Sequence, residues 1–310
     1  MSDILTRRQM GKGGSETDFR RWKGPLVLAA DEAYAMPLAT TLQSIVEANR
    51  SSWPVEVHVL STGFSKSTRA KVCASLPAGA ASVCWDSVDL AAYKGFMTQS
   101  HISMMTYTRF LIAEVLPEGV SRTLYLDSDL LVLDDLAAVW ETELDGAVLG
   151  AVVDEMEDGR KRGDLRFEGV PRVREYFNAG VLLIDLKRWR EERISEKAMA
   201  YLSRNPRSPF SDQDALNVAC DGLWKKLDRR WNFQSHHSTP ISEMRPKDRP
   251  GIVHFVTNSK PWLPEARSVN AGFYNNYRSR TCFARTPVEQ ARDEVLRSWA
   301  GVRNVIRRLG

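Results

Sequence analysis

The stretch Pro25-Leu-Val-Leu-Ala-Ala-Asp31 is a short apolar run that ends in a carboxylate, and it predicts a buried β-strand. A helix should follow it, with Pro37 in its first turn and one apolar face. Further strands are predicted over Val55–Leu60 and Ala81–Trp85, with a helix over Ser65–Leu76 between them. This β-α-β-α-β order predicts an α/β fold with a parallel sheet, in which ligands bind at the carboxyl ends of the strands.

The rest of the chain continues with elements of the same two kinds. Strands are predicted over Arg122–Leu126, Leu130–Leu133, Ala147–Val153 and Ala179–Ile184, and helices over Tyr107–Val115, Glu192–Ser203 and Asp212–Cys220. The stretch from Asp221 to Pro250 is irregular and rich in Arg, Trp, Pro and His, which indicates loops around a site. Neither a Gly-x-Gly-x-x-Gly nor a Walker sequence occurs, so no dinucleotide or P-loop site is predicted.

The 310 residues have an ordinary globular composition, with 43% hydrophobic and 26% charged residues. The longest apolar runs are far shorter than the ~20 residues that cross a bilayer, so no transmembrane helix is predicted. Four scattered cysteines without a Cys-x-x-Cys pair indicate neither a disulfide framework nor a zinc site. The polar N-terminus lacks the apolar segment of a secretory signal, and we expect a cytoplasmic protein.

Charge is distributed unevenly along the chain, although the total is only +4. Residues 278–310 carry a net charge of +5, so the remaining 277 residues sum to −1. Such a near-neutral body argues against nucleic-acid binding. The predicted organisation is a disordered basic N-terminus over 1–23, one domain over 24–277 and a basic amphipathic segment over 278–310.

The C-terminal segment has apolar residues at helical spacing, with arginines between them. The apolar positions are Val288, Val295, Trp299, Val302, Ile306 and Leu309. One interpretation is an ordinary helix packed on the domain. The other is an interfacial helix over 288–310 that contacts an anionic membrane at its inner face, with Trp299 at the level of the headgroups.

Two carboxylates, Asp127 and Asp129, directly follow the predicted strand Arg122–Leu126. Positions i and i+2 lie on the same side of an extended backbone, where a divalent cation would relieve the repulsion between them. The simpler alternative is that one carboxylate caps a turn and the other is solvated. A haloacid-dehalogenase-type phosphatase also places Asp-x-Asp after an apolar strand, and it would use the first Asp as a nucleophile.

A second cluster, Gly251–Trp262, contains His254 after two apolar residues and Lys260 before Pro261. A histidine in such a position is usually a core or turn residue, and Lys-Pro-Trp is usually a surface turn. Together they can instead form a phosphate site, with the imidazole as a metal ligand and the ammonium on a phosphate oxygen. A ligand set of carboxylates and imidazole favours Mn²⁺, with Mg²⁺ as the alternative ion.

Six ordered motifs resemble glycosyltransferase family 8, and most of all its bacterial lipopolysaccharide galactosyltransferase and glucosyltransferase branch. They are Ala29-Ala-Asp-Glu-Ala-Tyr34, His101-Ile-Ser-Met-Met-Thr-Tyr-Thr-Arg109, Leu124-Tyr-Leu-Asp-Ser-Asp129, Phe177-Asn-Ala-Gly-Val-Leu-Leu-Ile-Asp185, Ser211-Asp-Gln-Asp214 and the stretch His254–Trp262. The resemblance covers residues 25–262. It implies a GT-A fold with a Rossmann-like nucleotide-sugar-binding domain and a central, mostly parallel sheet. The implied activity is a retaining hexosyltransferase that uses Mn²⁺ to move galactose or glucose from a UDP-sugar to a saccharide acceptor such as lipopolysaccharide.

The resemblance also implies roles for individual residues. The implied Mn²⁺ ligands are Asp127, Asp129 and His254. The residues implied to bind the nucleotide, the diphosphate or the donor sugar are Ala29, Asp31, His101, Arg109 and Lys260, and those implied around the reacting carbon are Asp154, Asn178, Asp212 and Gln213. Structural alternatives exist for three of them: Asn178 with Gly180 shapes a turn, Arg109 is an exposed helix charge, or Asp212 is a helix N-cap.

Two positions depart from the family pattern. Thr257 stands where the family usually has Gly, a residue that lets the backbone approach a diphosphate closely. Ala33 stands where the lipopolysaccharide branch commonly has Asn. These departures suggest a third hypothesis, a nucleotide-sugar-binding protein without turnover.

Overall fold

The computed structural model describes residues 24–96, 104–164, 168–234, 240–256, 258–264, 266, 268–293 and 295–296. The strands of this part of the chain are β1 (Leu26–Ala29), β2 (Val55–Ser61), β3 (Ala81–Ser87), β4 (Arg122–Leu126), β5 (Leu130–Val132), β6 (Leu149–Val153), β7 (Phe177–Asp185), β8 (Trp224–Lys226), β9 (Phe233–Gln234) and β10 (Ile252–His254). The α-helices are α1 (Ala35–Ala48), α2 (Lys66–Ala74), α3 (Ile112–Val115), α4 (Ala137–Trp140), α5 (Glu157–Lys161), α6 (Leu186–Glu191), α7 (Ile194–Arg204), α8 (Ser211–Ala219) and α9 (Ala271–Arg278).

A seven-stranded sheet in the order β3-β2-β1-β4-β7-β6-β8 forms the centre of the molecule. The pairs β3-β2, β2-β1, β1-β4 and β6-β8 are parallel, whereas β7 runs antiparallel to both β4 and β6. The predicted α/β class and the mostly parallel sheet are therefore confirmed. Because β1 and β4 are parallel neighbours, Asp31 and the Asp127–Asp129 pair leave the sheet at the same edge.

A second sheet, in the order β5-β10-β9, carries the other half of the site. Strand β5 begins directly after Asp129 and pairs antiparallel with β10, in the register His254↔Leu130. The backbone N–H of Phe255 also donates to the carbonyl of Asp129 at 3.1 Å. This pairing places His254, which follows Asp129 by 125 positions in the sequence, beside the two carboxylates.

The central strands are buried on both faces, which explains their continuous apolar sequence. Along β1, Leu26 and Leu28 join the core on one face, whereas Val27 and Ala29 join the core on the other. The same alternation in β4 sends Leu124 and Leu126 to the first core. Tyr125, and with it Asp127 two residues later, belongs to the opposite face.

One predicted helix, Tyr107–Val115, is wrong in most of its length. Residues Met104–Leu111 form 3-10 turns, and only α3 is α-helical. Side chains three residues apart eclipse one another in a 3-10 helix, and this spacing lets Tyr107 and Phe110 both pack on Tyr93, with ring centroids 5.4 and 6.1 Å away. The 3-10 segment is therefore packed on the core through these two rings.

The other predicted elements are present with shifted ends, and Ser65 is the N-cap of α2, accepting a hydrogen bond from Thr68 N at 3.1 Å. No helix in the described ranges is both long and apolar enough to cross a membrane. Residues 1–23, on which the predicted disordered N-terminus falls, lie outside the described residues, as do Trp299, Val302, Ile306 and Leu309 of the C-terminal segment.

Candidate active site

A cavity of about 680 Å³ lies at the carboxyl ends of β1, β4 and β6, a volume in the range of small-molecule sites. Most of the residues implied by sequence line it: Ala29, Asp31, Arg109, Asp127, Asp129, Asp154, Asn178, Asp212, Gln213, His254 and Lys260. His101 and Thr257 lie outside the described residues, so the predictions about them are not resolved. The fold thus brings together residues from six separate sequence motifs.

The two carboxylates and the histidine form one compact cluster. His254 Nε2 lies 3.2 Å from Asp129 Oδ1 and 3.7 Å from Asp127 Oδ2. One ligand atom from each of the three residues can be chosen so that all lie within 4.8 Å of one another. The three side chains therefore offer two oxygens and one nitrogen toward a common point.

Lys260 is buried beside this cluster. Its Nζ donates to Asp129 Oδ2 and to the carbonyl of Phe255, each at 2.6 Å. Burial raises the pKa of Asp129, but the Lys260 ammonium lowers it, and this carboxyl has a pKa below its ordinary value. An ammonium has three hydrogens, so one remains for a further acceptor.

Arg109 connects Asp127 to Asp212. Its Nη2 donates to Asp127 Oδ1 at 2.7 Å and its Nη1 pairs with Asp212 Oδ2. Tyr125 adds a hydrogen bond from its hydroxyl to the same Asp127 Oδ1, at 2.7 Å. Burial lowers the pKa of Arg109, yet Asp127 and Asp212 raise it well above its ordinary value. Burial raises the pKa of Asp212 to about 6 despite the arginine.

Asp154 is held by three donors at the end of β6. Asn178 Nδ2 and Gln213 Nε2 donate to its Oδ2 at 3.0 and 3.1 Å, and Met156 N donates to its Oδ1 at 2.9 Å. The carbonyl oxygen of Gln213 is also occupied, because it accepts from Ala179 N at 3.0 Å. The amides thus fix the orientation of Asp154 and are themselves fixed by the backbone.

Three structural alternatives for site residues are wrong. Arg109 is not an exposed helix charge but is 5% exposed. Asp212 is the second residue of α8, whose N-cap is Phe210, so it does not cap the helix. Asn178 and Gly180 lie within strand β7 and not in a turn. A register shift between β6 and β7 at Ala151 and Val152 lets this part of β7 bend toward the site.

Tyr125, Gly180 and Asn232 also belong to the site, although no part in binding or catalysis was predicted for them. Tyr125 stands two residues before Asp127, so strand alternation would have placed both on one face. A Cβ on Gly180 would lie 2.2 Å from His254 Cε1, so only glycine fits there. Asn232 Oδ1 lies 3.0 Å from His254 Nδ1. Its only signal in the sequence is that it falls in the irregular Asp221–Pro250 stretch.

The cluster of Asp127, Asp129 and His254 fits a divalent cation. Asp129 Oδ1 is buried and receives no hydrogen bond from any described residue, although it faces the imidazole of His254. A buried carboxylate oxygen without a donor is costly, and a bound cation would satisfy it. Mixed oxygen and nitrogen ligands suit Mn²⁺ and also accept Mg²⁺.

Comparison with known proteins identifies the family. The sequence profile of glycosyl transferase family 8 matches residues 25–266 of this chain. The chain belongs to that family. The match includes the motifs of the cavity, from the end of β1 to the Lys260 segment. Family membership favours a glycosyltransferase over a phosphatase that uses Asp127 as a nucleophile.

Relatives of this family 8 chain include proteins from several bacteria. General stress protein A of Bacillus subtilis is 28% identical over 270 residues, which cover 83% of this chain and 93% of that protein. The lipopolysaccharide 1,2-glucosyltransferase of Escherichia coli K12 is 30% identical over 171 residues, 52% of this chain and 49% of the relative. The matched part thus spans about half of the second relative's length.

A solved structure shares the fold. It is that of the galactosyltransferase LgtC in complex with donor and acceptor sugar analogues, which is 29% identical with a TM-score of 0.72. The alignment covers 87% of this chain and 99% of LgtC. This family 8 chain accordingly has the GT-A fold and is a glycosyltransferase.

Arg109 should be essential for stability because it is buried and pairs with the buried Asp212 and the partly buried Asp127. Arg109→Met should lower the free energy of unfolding by about 3–5 kcal/mol, since it leaves Asp127 and Asp212 without their buried cation. This loss of stability should become smaller as the pH falls to about 6, the pKa of Asp212 beside Arg109. Protonation of Asp212 removes one of the two negative charges that the arginine pairs with. Urea unfolding at several pH values measures both effects.

The matched control is Arg245→Met. The Arg245 side chain is 71% exposed and, among the described residues, its ion pair is with Asp248 three residues on, so its loss should change the free energy of unfolding by less than about 0.5 kcal/mol. Equal effects of the two variants would contradict the structural role given to Arg109.

Proposed function

We propose that this chain is a retaining hexosyltransferase that moves galactose or glucose from a UDP-sugar to a saccharide acceptor, with Mn²⁺ bound by Asp127, Asp129 and His254. The observation that carries the proposal is the cluster of these three ligands beside the buried Lys260 ammonium, inside a cavity of about 680 Å³. A diphosphate is bound by positive charge. A cation held by the three ligands would supply one such charge, and the Lys260 ammonium beside them would supply another.

The donor extends across the cavity from β1 to β6. In this proposal Ala29 and Asp31, at the end of β1, contact the uracil, and His101 contacts the nucleotide and phosphate. Asp31 Oδ1 accepts from Tyr34 N at 3.1 Å, which fixes the turn that follows the strand. At the other end, Asp154, held by Asn178 and Gln213, binds hydroxyl groups of the hexose. UDP as the nucleotide and the roles of Ala29, Asp31 and His101 come from the family resemblance.

Charge on the leaving group is the main requirement of the reaction. When bound, Mn²⁺ supplies positive charge that stabilises the departing UDP. Lys260 adds its remaining N–H as a donor to a diphosphate oxygen, from a position fixed by Asp129 and Phe255. Arg109 orients Asp127 through the bond from its Nη2 to Asp127 Oδ1, and its own charge acts on the same region. These groups are buried, so they stabilise developing negative charge more strongly than in water.

Retention of configuration is proposed to occur by attack on the face from which UDP departs. A double displacement needs a free nucleophile on the opposite face. Gln213 has its oxygen on Ala179 N, Asp212 is paired with Arg109, and Asp154 accepts three hydrogen bonds. In the proposed step the bond from C1 to the UDP oxygen breaks, the bond from C1 to the acceptor oxygen forms, and the acceptor proton moves to the departing phosphate.

The acceptor is proposed to be lipopolysaccharide or another cell-surface glycan, which suits a cytoplasmic enzyme at the inner face of the membrane. The named relative that acts on lipopolysaccharide supports this class. The C-terminal segment supports it as well, because Val288 and Val295 are 79% and 55% exposed although both are apolar. In this proposal residues 24–277 are the transferase domain and residues 278–310 are the membrane-contacting segment.

UDP release from sugar nucleotides tests the proposed reaction. With Mn²⁺ and without acceptor, we expect slow release from one of UDP-galactose, UDP-glucose and UDP-N-acetylglucosamine, abolished by chelator. Asp129→Asn should reduce it by at least ~100-fold, because it removes a proposed Mn²⁺ ligand that is also the carboxylate holding Lys260. Asp134→Asn, at an exposed carboxylate paired with Arg230, should leave the rate unchanged.

Each other outcome selects another hypothesis. UDP binding that depends on Mn²⁺, without release from any sugar even when saccharide acceptors are added, would support a binding protein without turnover. Hydrolysis of a phosphate ester would support the phosphatase. The absence of both UDP release and Mn²⁺-dependent UDP binding would contradict the proposed function.

Mass spectrometry tests the stereochemical proposal. The protein incubated with donor alone, or with donor and a poor acceptor, should keep its unmodified mass. A hexose attached to the peptide that contains Asp154 or Asp212 would show a covalent intermediate and would replace same-face attack with double displacement.

Liposome co-sedimentation tests the membrane contact. The full chain should pellet with vesicles that contain phosphatidylglycerol and not with pure phosphatidylcholine, since arginines attract an anionic surface. A chain ending at residue 296 should pellet several-fold less while keeping its thermal unfolding midpoint. Equal pelleting of the two chains would contradict the contact.

A further inference from the structure

A chain of amide side chains connects Asp154 to His254. Asn178 Nδ2 donates to Asp154, Asn178 Oδ1 accepts from Asn232 Nδ2 at 2.8 Å, and Asn232 Oδ1 meets His254 Nδ1 at 3.0 Å. Asn232 is fully buried, Asn178 is 6% exposed and His254 is 4% exposed. Water therefore has little access to these bonds, and each polar atom depends on its protein partner.

The donor and the acceptor of every hydrogen bond between these amide side chains follow from one backbone group. Gly180 N, which can only donate, lies 3.0 Å from Asn178 Oδ1, so that atom is the amide oxygen. The atom of Asn232 that meets it must therefore be the NH₂ group. The remaining atom of the Asn232 amide is an oxygen, which can only accept, so the hydrogen bond to His254 requires a proton on Nδ1.

A neutral imidazole with its proton on Nδ1 has a lone pair on Nε2. That lone pair faces the two carboxylates, because Nε2 lies 3.2 Å from Asp129 Oδ1 and 3.7 Å from Asp127 Oδ2. Such an arrangement is unfavourable without a cation and is what a metal requires of a histidine ligand. The hydrogen bond from Nδ1 to Asn232 thus leaves Nε2 unprotonated and able to bind a metal.

We propose that Asn232 is the positioning residue that selects the metal-binding tautomer of His254 and holds its ring toward Asp127 and Asp129. This inference rests on the metal site of the proposed function and extends it to a residue that touches neither metal nor donor. The same amide chain joins the carboxylate assigned to the donor sugar, Asp154, to the metal ligand. Gly180 limits the ring from the other side, since a Cβ there would also lie 2.7 Å from His254 Nδ1.

The test compares two substitutions of Asn232 by the affinity for Mn²⁺. Asn232→Leu has a similar shape but no acceptor for His254, so the affinity should fall by ~10–100-fold, the usual cost of losing such a partner. Asn232→Asp also loses the N–H that Asn178 Oδ1 accepts but keeps an acceptor for His254, so the affinity should fall clearly less than in Asn232→Leu. Free Mn²⁺ is measured by electron paramagnetic resonance, with and without UDP, independently of activity.

The matched control is Asn49→Leu. Asn49 is also fully buried and also bonds through both ends of its amide, to Ile45 O and Leu136 N, but it has no contact with the metal cluster. Asn49→Leu should lower the free energy of unfolding in urea, as Asn232→Leu does, and should keep the wild-type Mn²⁺ affinity. If Asn232→Leu does not fold, Asn232→Ala removes the same acceptor without an apolar branch and takes its place.

The outcomes separate this inference from the proposed function. Wild-type protein that binds no Mn²⁺, with or without UDP, would overturn the metal site and the role of Asn232 together. Wild-type binding with an unchanged affinity in Asn232→Leu or Asn232→Ala would overturn the role of Asn232 alone. Equal losses in Asn232→Leu and Asn232→Asp would show a structural requirement for the amide and would also overturn it.

Discussion

The repulsion among carboxylates at the ends of β4 and β6 is the constraint on which the site depends. Asp127, Asp129, Asp154 and Asp212 all line one cavity. Two basic side chains of the described lining form ion pairs with these carboxylates: Arg109 pairs with Asp127 and Asp212, and Lys260 pairs with Asp129. Burial makes each uncompensated charge expensive. The site balances this charge with two fixed cations, with amide donors on Asp154 and with a ligand cluster that suits a divalent cation.

Arg109 and Lys260 have different roles because they lie on different segments of the chain. Arg109 lies on 3-10 turns that pack against the core by Tyr107 and Phe110, so its guanidinium is held rigidly between Asp127 and Asp212. Lys260 lies on a segment after β10, and it is held by one carboxylate and one carbonyl. Arg109 therefore fixes the positions of two carboxylates, whereas Lys260 keeps one N–H available for a ligand.

The antiparallel strand β7 is what ties the two sides of the site together. It pairs with β4, where Asp127 N donates to Gly180 O at 2.9 Å, and with β6, which ends at Asp154. Its residues Asn178 and Gly180 consequently touch both Asp154 and the surroundings of His254. A purely parallel sheet would have sent the carboxyl end of the intervening strand to this edge, whereas β7 brings its amino-terminal part there.

The sequence by itself determined the local elements and the family. Apolar runs predicted the strands, carboxylates at their ends predicted the edge where a ligand binds, and six ordered motifs implied the fold. These succeed because strand burial and strand-end chemistry are properties of short stretches. The helix over Tyr107–Val115 failed over most of its length, because apolar spacing indicates which face is buried but does not distinguish 3-10 turns from an α-helix.

Only the tertiary structure decided which side chains share a contact. The pairing of β10 with β5 sets His254 beside Asp129, and the buried position of Arg109 between two carboxylates depends on residues 18 and 103 positions away. Asn232 has no sequence signal of its own, because an asparagine becomes a positioning residue only when its two ends meet specific partners. Hydrogen-bond direction is a property of assembled neighbours, and no spacing along one chain encodes it.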